Sequence, residues 1–443
     1  MQRTIWAAMV VLLSAAAVTL ADDKPLNEAP DGFVNLFNGR DLNSWRGRKQ
    51  DYSPYAEAAL SKEELAKSRS DWAADAKKHW KVDGAKGEIV SDGKGVFLAT
   101  DRDYGDFELY VDWLMVSHNG DSGIYLRGYP QIQIWDPENT KEVKNGVEKG
   151  SGALWNNNPD NPGKWPLVKA DKAIGEWNNF HVKMIGSRVW VWFNDKLTVD
   201  GQILDNYFDR KKSVLPRGPI ELQTHGSEIR FKNVFLREIG ADEANATLAK
   251  RLDKGFKSIF NGKDFTGWTG KTSEYEVRDG MIVCKAGKGG NVWTTEEYGD
   301  FEATVEFKLP PAGNNGLAIR YPGNDVDTAY HGMCEIQVLD DSAPVYEHLD
   351  TRQYCGSIYG AVAAQRGYVR APGVWNFEHV IVKGHTIKVE LNGTVITDAD
   401  VSKVTEFMAN SKHPGITREK GAFGFAGHSD PVAFRNIRIK PLE

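Results

Sequence analysis

Blocks from the first half of the chain return in the second half in the same order. Phe37-Asn38-Gly39-Arg40-Asp41-Leu42 with Trp45 returns as Phe260-Asn261-Gly262-Lys263-Asp264-Phe265 with Trp268. Tyr104-Gly105-Asp106-Phe107-Glu108 returns as Tyr298-Gly299-Asp300-Phe301-Glu302, and Ser122-Gly123-Ile124-Tyr125-Leu126-Arg127 as Asn315-Gly316-Leu317-Ala318-Ile319-Arg320. Gln131 to Asp136 answers Glu335 to Asp340, Gly175-Glu176-Trp177-Asn178 answers Gly373-Val374-Trp375-Asn376, and His225 answers His428. A period of about 200 residues belongs to duplicated domains, since solenoid repeats run to 20–50. The expected layout is a first domain over 31–239, a linker over 240–254 and a second domain over 255–443. The Ala-, Glu- and Asp-rich linker can form a short helix, and it carries little apolar surface for the two domains to share. The copies differ by a charged, Ala-rich insertion at about 47–79, which reads as one or two surface helices.

Period-2 alternation sets the fold class. Phe301, Ala303, Val305, Phe307 and Leu309 alternate with polar residues, as Phe107, Leu109, Val111 and Trp113 do in the first copy. Such strands bury one face, as in antiparallel sandwiches. Asp83-Gly84, Asp279-Gly280 and Asn392-Gly393 lie between strand-like runs and read as hairpin turns. The 44 Gly, 14 Trp, 15 Tyr and 19 Phe fit an all-β chain. Each copy is expected to be a jelly-roll β-sandwich. The formal net charge of −6 argues against a general nucleic-acid binder.

The N-terminus reads as a targeting segment. Arg3 precedes an apolar stretch from Ile5 to Val18, and Thr19-Leu20-Ala21 supplies small residues ahead of Asp22. This predicts a signal peptide over 1–21, cleaved after Ala21, and an exported, periplasmic or secreted product. The stretch is short for a span, which needs about 20 residues, and no later run approaches that length. No membrane span is expected in the mature chain. Three cysteines, Cys284, Cys334 and Cys355, leave an odd count. Either Cys334 and Cys355 form one bridge, or all three are buried thiols.

No P-loop, His-Glu-x-x-His helix or Gly-x-Ser-x-Gly elbow is present. The informative segment is Glu335-Ile336-Gln337-Val338-Leu339-Asp340. On a strand Glu335 and Gln337 share one face while Ile336 and Val338 enter the core. A bulge near Leu339 would bring Asp340 to the polar side. Two carboxyls and an amide on an open sheet face suit acid–base work on a sugar, or form the polar outside of a half-exposed strand. Arg320 ends an apolar run; its guanidinium either enters the same cleft or makes a structural ion pair. Tyr359 offers a stacking ring and a hydroxyl. His428, at a strand-end turn, can serve as a base near neutral pH. The first copy keeps Arg127, Gln133, Asp136 and His225, but has Gln131 in the place of Glu335, and an amide cannot transfer a proton. Trp155 and the Asn/Pro/Trp loop from Asn156 to Trp165 suggest either sugar stacking or loop packing.

Taken together, these motifs, with the closing Phe434-Arg435-Asn436-Ile437, resemble the 3-keto-disaccharide hydrolase family, also described as 3-keto-glucoside 1,2-lyase/3-keto-2-hydroxyglucal hydratase domains. The resemblance covers nearly the whole chain beyond the leader, twice over. It implies a concanavalin A-like (laminarinase-like) jelly roll and cleavage of 3-keto-glycosides by elimination and hydration. A C3 ketone acidifies the C2 proton, so a base, an enolate stabiliser and an acid are required. His428 or Glu335 would be the base, with Asp340 as a further carboxyl; Arg320 or a bound divalent cation would stabilise the enolate. Gln131 puts catalysis by the first copy in doubt. The rival reading is a non-catalytic carbohydrate-binding protein that uses the concave sandwich faces. The sugar, the linkage and the oligomeric state are not legible in the sequence.

Overall fold

The computed structural model describes residues 26–252, 254–323 and 329–442, so the predicted signal peptide lies outside the described residues. The described chain is all-β, with two sandwiches in tandem. In the first, a larger sheet runs in the order Lys196–Ile203, Arg188–Phe193, Asn178–Ile185, Phe107–Met115, Ile229–Glu238, Glu88–Ser91, Trp80–Asp83. It packs on a five-stranded sheet of Trp45–Arg48, Phe97–Thr100, Glu221–Leu222, Asp121–Leu126 and Tyr129–Trp135. The second sandwich repeats this plan. Its smaller sheet runs Trp268–Gly270, Gly289–Tyr298, Gly421–His428, Asn314–Tyr321, Cys334–Leu339. These are jelly-roll sandwiches of the concanavalin A-like kind, with every strand pair antiparallel.

The alternating residues do what their pattern requires. Phe107, Leu109, Val111 and Trp113 enter the first core, and Phe301, Ala303, Val305 and Phe307 the second. Asp279-Gly280 and Asn392-Gly393 form two-residue turns with positive φ at both positions. Asp83-Gly84 does not: the connection there runs from Gly84 to Gly87. Asn194-Asp195 makes a further tight turn, with φ of 46° and 64°.

The insertion forms α1 (Pro54–Ala58) and α2 (Lys62–His79). Ser61 and Glu64 close a reciprocal capping box at the start of α2. Strand and helix meet so closely that a Cβ on Gly47 would lie 2.2 Å from the Trp72 carbonyl oxygen. The insertion also reaches over the first smaller sheet. Arg48, almost fully buried, bonds Glu57 and Glu221, each at 2.7 Å, and the Tyr125 hydroxyl donates to Asp51.

The linker is α3 (Ala241–Arg251), and its apolar side is larger than its composition implied. Ala244 and Leu248 enter a cluster with Ile185, Trp190 and Ile239 of the first sandwich and Phe377 of the second. Polar contacts surround this cluster. Arg188 of the first sandwich grips Glu390 of the second through Nε (2.6 Å) and Nη2. All three cysteines are free and buried, so Cys334 and Cys355 do not form a bridge. Among the described residues no helix is long and apolar enough to cross a membrane.

Candidate active site

The strand Cys334–Leu339 is the edge of the second smaller sheet, and the loop after it folds back along that edge. The Gln337 N–H donates to the Ser357 carbonyl (3.0 Å), and Gly356 and Tyr359 donate to the Gln337 and Glu335 carbonyls (2.7 and 2.9 Å). This closes an exposed edge and sets Tyr359 beside Glu335. Ile336 and Val338 enter the core. Glu335 and Gln337 point the other way, but not onto an open face: they are 4% and 3% exposed.

They form the floor of a 140 Å³ cavity, whose walls include Asn314, Tyr330, Tyr346, Leu349, Gln353, Tyr359 and His428. The structure thus brings together four of the residues singled out in the sequence: Glu335, Gln337, Tyr359 and His428. Gly316 permits the floor. A Cβ there would lie 2.0 Å from Glu335 Oε1, so only glycine lets the carboxyl lie flat across the neighbouring strand. Glu335 Oε1 and Gln337 Oε1 have no hydrogen-bond partner. Burial alone pushes the Glu335 carboxyl up to about 8, so it is protonated at neutral pH. The Gln337 amide nitrogen donates to Asn314 Oδ1 (3.1 Å). Gln353 donates to the Tyr359 hydroxyl (3.0 Å), fixing the phenol, whose hydroxyl also meets Tyr330. His428 stands at the rim. Desolvation draws its imidazole below the usual range, against an opposing pull from Asp430.

Other expected site residues sit elsewhere. Arg320 does not enter the cavity. It lies at φ 45°, and its guanidinium donates to the Gly299, Gly384 and Arg418 carbonyls (2.8–2.9 Å) and to Asp300 (2.6 Å). Arg127 repeats this at φ 54°, bonding the Gly105 and Gly186 carbonyls and Asp106. Each arginine ties the end of a smaller-sheet strand to a strand and a hairpin of the larger sheet. Asp340 also turns away: it accepts from the Ala312 N–H (2.9 Å) and from the backbone and hydroxyl of Ser342 (3.1 and 2.6 Å). Asp136 does the same with the Asn119 and Glu138 N–H groups and contacts His118. Trp155 is half-buried, with its indole N–H on the Asn145 carbonyl, its ring edge-on to Trp135 and Lys164 near its face. Gln133 and His225 remain on the outer face of the first smaller sheet, joined through Asp121.

Asn314, Tyr330, Tyr346, Leu349 and Gln353 were not foreseen. Asn314 had a signal, since it adjoins the repeated Asn315-Gly316 block at the position matching Asp121. The others come from two loops with no counterpart in the matched blocks: Tyr330 precedes the strand Cys334–Leu339, and Tyr346, Leu349 and Gln353 follow it. Two larger clefts, of 430 and 500 Å³, flank the segment Gly367–Ala371. In the larger one Arg127, Arg370 and Asp106 are already bound to one another or to backbone. Of these three, the smaller cavity is the one with unpartnered polar atoms converging on it.

A 3-keto-alpha-glucoside-1,2-lyase-like domain model matches residues 32–237 and again residues 255–440. The chain belongs to that family. It is 26% identical to a 3-keto-disaccharide hydrolase of Bacteroides thetaiotaomicron over 230 residues, covering 43% of this chain and 79% of the relative. A solved structure from Parabacteroides distasonis, provisionally labelled a glycosyl hydrolase, is 28% identical and overlays with a TM-score of 0.38, covering 42% of this chain and 99% of the other. A carbohydrate-binding module from Bacillus subtilis is 12% identical and overlays with a TM-score of 0.28, covering 39% and 95%. The family's doubled match coincides with the two sandwiches, and the cavity described above falls within its second copy.

Proposed function

We propose that the second sandwich cleaves the glycosidic bond of 3-keto-glycosides by elimination and then hydration, giving net hydrolysis. The observation that carries this reading is a buried carboxyl without a partner, Glu335, held in its acid form in the same small cavity as an imidazole held neutral, His428. The chemistry needs both states at once. His428 takes the C2 proton made acidic by the C3 ketone. Glu335 gives its proton to the departing C1 oxygen. The Tyr359 hydroxyl donates to the developing enolate oxygen. Water then adds at C1 of the enone, with the two proton transfers reversed. The cavity has room for one sugar ring with its leaving group directed outwards. Among the described residues no Lys or Arg lines it, which suits an uncharged ring. The tyrosines supply apolar walls for the sugar's C–H faces.

A divalent cation was a further candidate for holding the enolate. Among the described residues, three His, Asp, Glu or Cys side chains close enough to share an ion occur only at His118, Asp136 and Glu138, on the first sandwich. Of those residue types, the described residues lining the cavity include Glu335 and His428 alone. We therefore derive no step through a cation.

Glu335→Gln tests the reading. It keeps size and removes the transferable proton, so turnover of a 3-keto-glucoside should fall about 10²–10⁴-fold. Glu335 has no ion-pair partner to strand, so the melting temperature should hold or rise. Near-normal turnover would move the role off Glu335. Export is part of the same reading, supported by the leader-like N-terminus; sequencing of the secreted chain should begin at Asp22.

A further inference from the structure

The first sandwich carries the same floor with its charge moved. Gln131 lies across Gly123 as Glu335 lies across Gly316: a Cβ on Gly123 would be 2.1 Å from Gln131 Oε1. Gln133, Asp121, His225 and Trp155 take the places of Gln337, Asn314, His428 and Tyr359. The carboxyl has left the floor for the rim. Asp121 pairs with His225 at 3.3 Å, and both side chains are open to solvent, at 38% and 61% exposure. That pairing holds the imidazole above its usual range.

The hydrogen-bond directions follow from this one exchange. An ionised Asp121 accepts only, so the Gln133 amide nitrogen must turn to it, at 2.7 Å. Gln133 Oε1 then faces Gln131, which donates its own amide nitrogen at 2.7 Å. Gln131 Oε1 is left over, buried and without a partner. On the next strand Leu222 enters the core, so Gln223 shares the outer face, and its Oε1 is also buried without a partner. Two acceptors without donors on one sheet face call for a ligand rich in O–H groups. Nothing at Gln131's position can protonate a leaving oxygen.

We infer that the first sandwich holds a second sugar-binding site over Gly123, made by Gln131, Gln223 and the Asp121–His225 pair, which grips a neutral hexose ring by its hydroxyls and does not cleave it. The ligand class rests on the proposed reading of the second cavity. The site gives the tandem chain a second hold on a glycan, and a linked pair of sites gains through effective concentration.

The experiment is calorimetric titration of the full chain with methyl α-D-glucopyranoside, alongside turnover of a 3-keto-glucoside. In a Glu335→Leu/Tyr359→Ala chain, whose second cavity has lost its polar floor and its ring, one equivalent should still bind. Adding Gln131→Leu and Gln223→Leu should weaken that binding at least tenfold. Gln131→Glu, which keeps acceptor oxygens at the site, should retain it. Gln131→Leu alone should leave turnover within twofold of the parent. The inference is overturned if the disabled chain binds nothing, if the leucines leave affinity unchanged, if the leucine and glutamate variants lose binding alike, or if Gln131→Leu cuts turnover tenfold. Because binding at the first site is read without turnover, a failure of Glu335→Gln to slow catalysis would sink the proposed function and leave this result standing.

Discussion

Glu335 carries a pH signature as well as a rate. The acid must be protonated and His428 neutral, so activity should fall as pH rises through about 8 and fall again below the usual imidazole range. In Glu335→Gln the alkaline limb should vanish from the pH–rate profile of whatever activity remains. Glu378 is a second buried carboxyl with no partner for either oxygen, also pushed up to about 8 by burial, but it faces the sandwich core. Its native form keeps a proton that the unfolded chain releases near pH 4.3. The stability it contributes is therefore full below that pH and is lost as pH rises towards about 8, at about 1.4 kcal/mol per pH unit. Glu378→Met should raise stability by about 3 kcal/mol at pH 7 and flatten that slope, as denaturant titrations at pH 5 and 8 would show. Alternation made Glu335 and Gln337 legible in the sequence, because a strand's two faces follow from its period. Burial was not legible, because the cover comes from the loop carrying Gln353 and Tyr359, whose path no local pattern dictates.

At the scale of elements, the strand periodicity and two of the three Gly-containing turns read directly from the chain. Arg320 did not. A strand-terminal arginine looks the same in sequence whether it faces a cleft or swings back, and its positive φ decides the matter. The repeat carries a signal of it: Gly-Asp before the long strand and Arg at the strand end recur together in both copies, at Gly105-Asp106 with Arg127 and at Gly299-Asp300 with Arg320. A clamp joining two sheets would be duplicated with the fold, whereas a catalytic arginine need not be. Arg320→Ala strands Asp300 and three carbonyls, and should cost about 3–5 kcal/mol in urea unfolding. The kcat per folded molecule should stay near the parent value.

At the scale of the molecule, the duplication was plain in the sequence and the docking of the copies was not. The linker's Ala244 and Leu248 are too few to stand out by composition, yet they sit where Trp190 and Phe377 meet. Burial opposes ionisation of Glu390, but Arg188 and Arg251 hold it below the usual carboxylate range. Glu390→Ala would leave Arg188 unpaired at the junction. The expected outcome in calorimetry is a loss of about 3–5 kcal/mol and the division of one unfolding transition into two.

Two like sandwiches on one chain invite each other's strands during folding, a recognised failure of tandem domains. Here the copies have diverged where such an exchange would hurt. Trp375–Lys383 is the counterpart of Asn178–Ile185, and Glu378 falls at the position of Phe180, which packs against Trp113 and Phe193 in the first core. A misplaced strand would drive a carboxyl between those rings. The same acid that weakens its own sandwich therefore discourages the wrong partnership, and a Glu378→Phe chain, steadier once folded, should yield more misassembled protein on refolding.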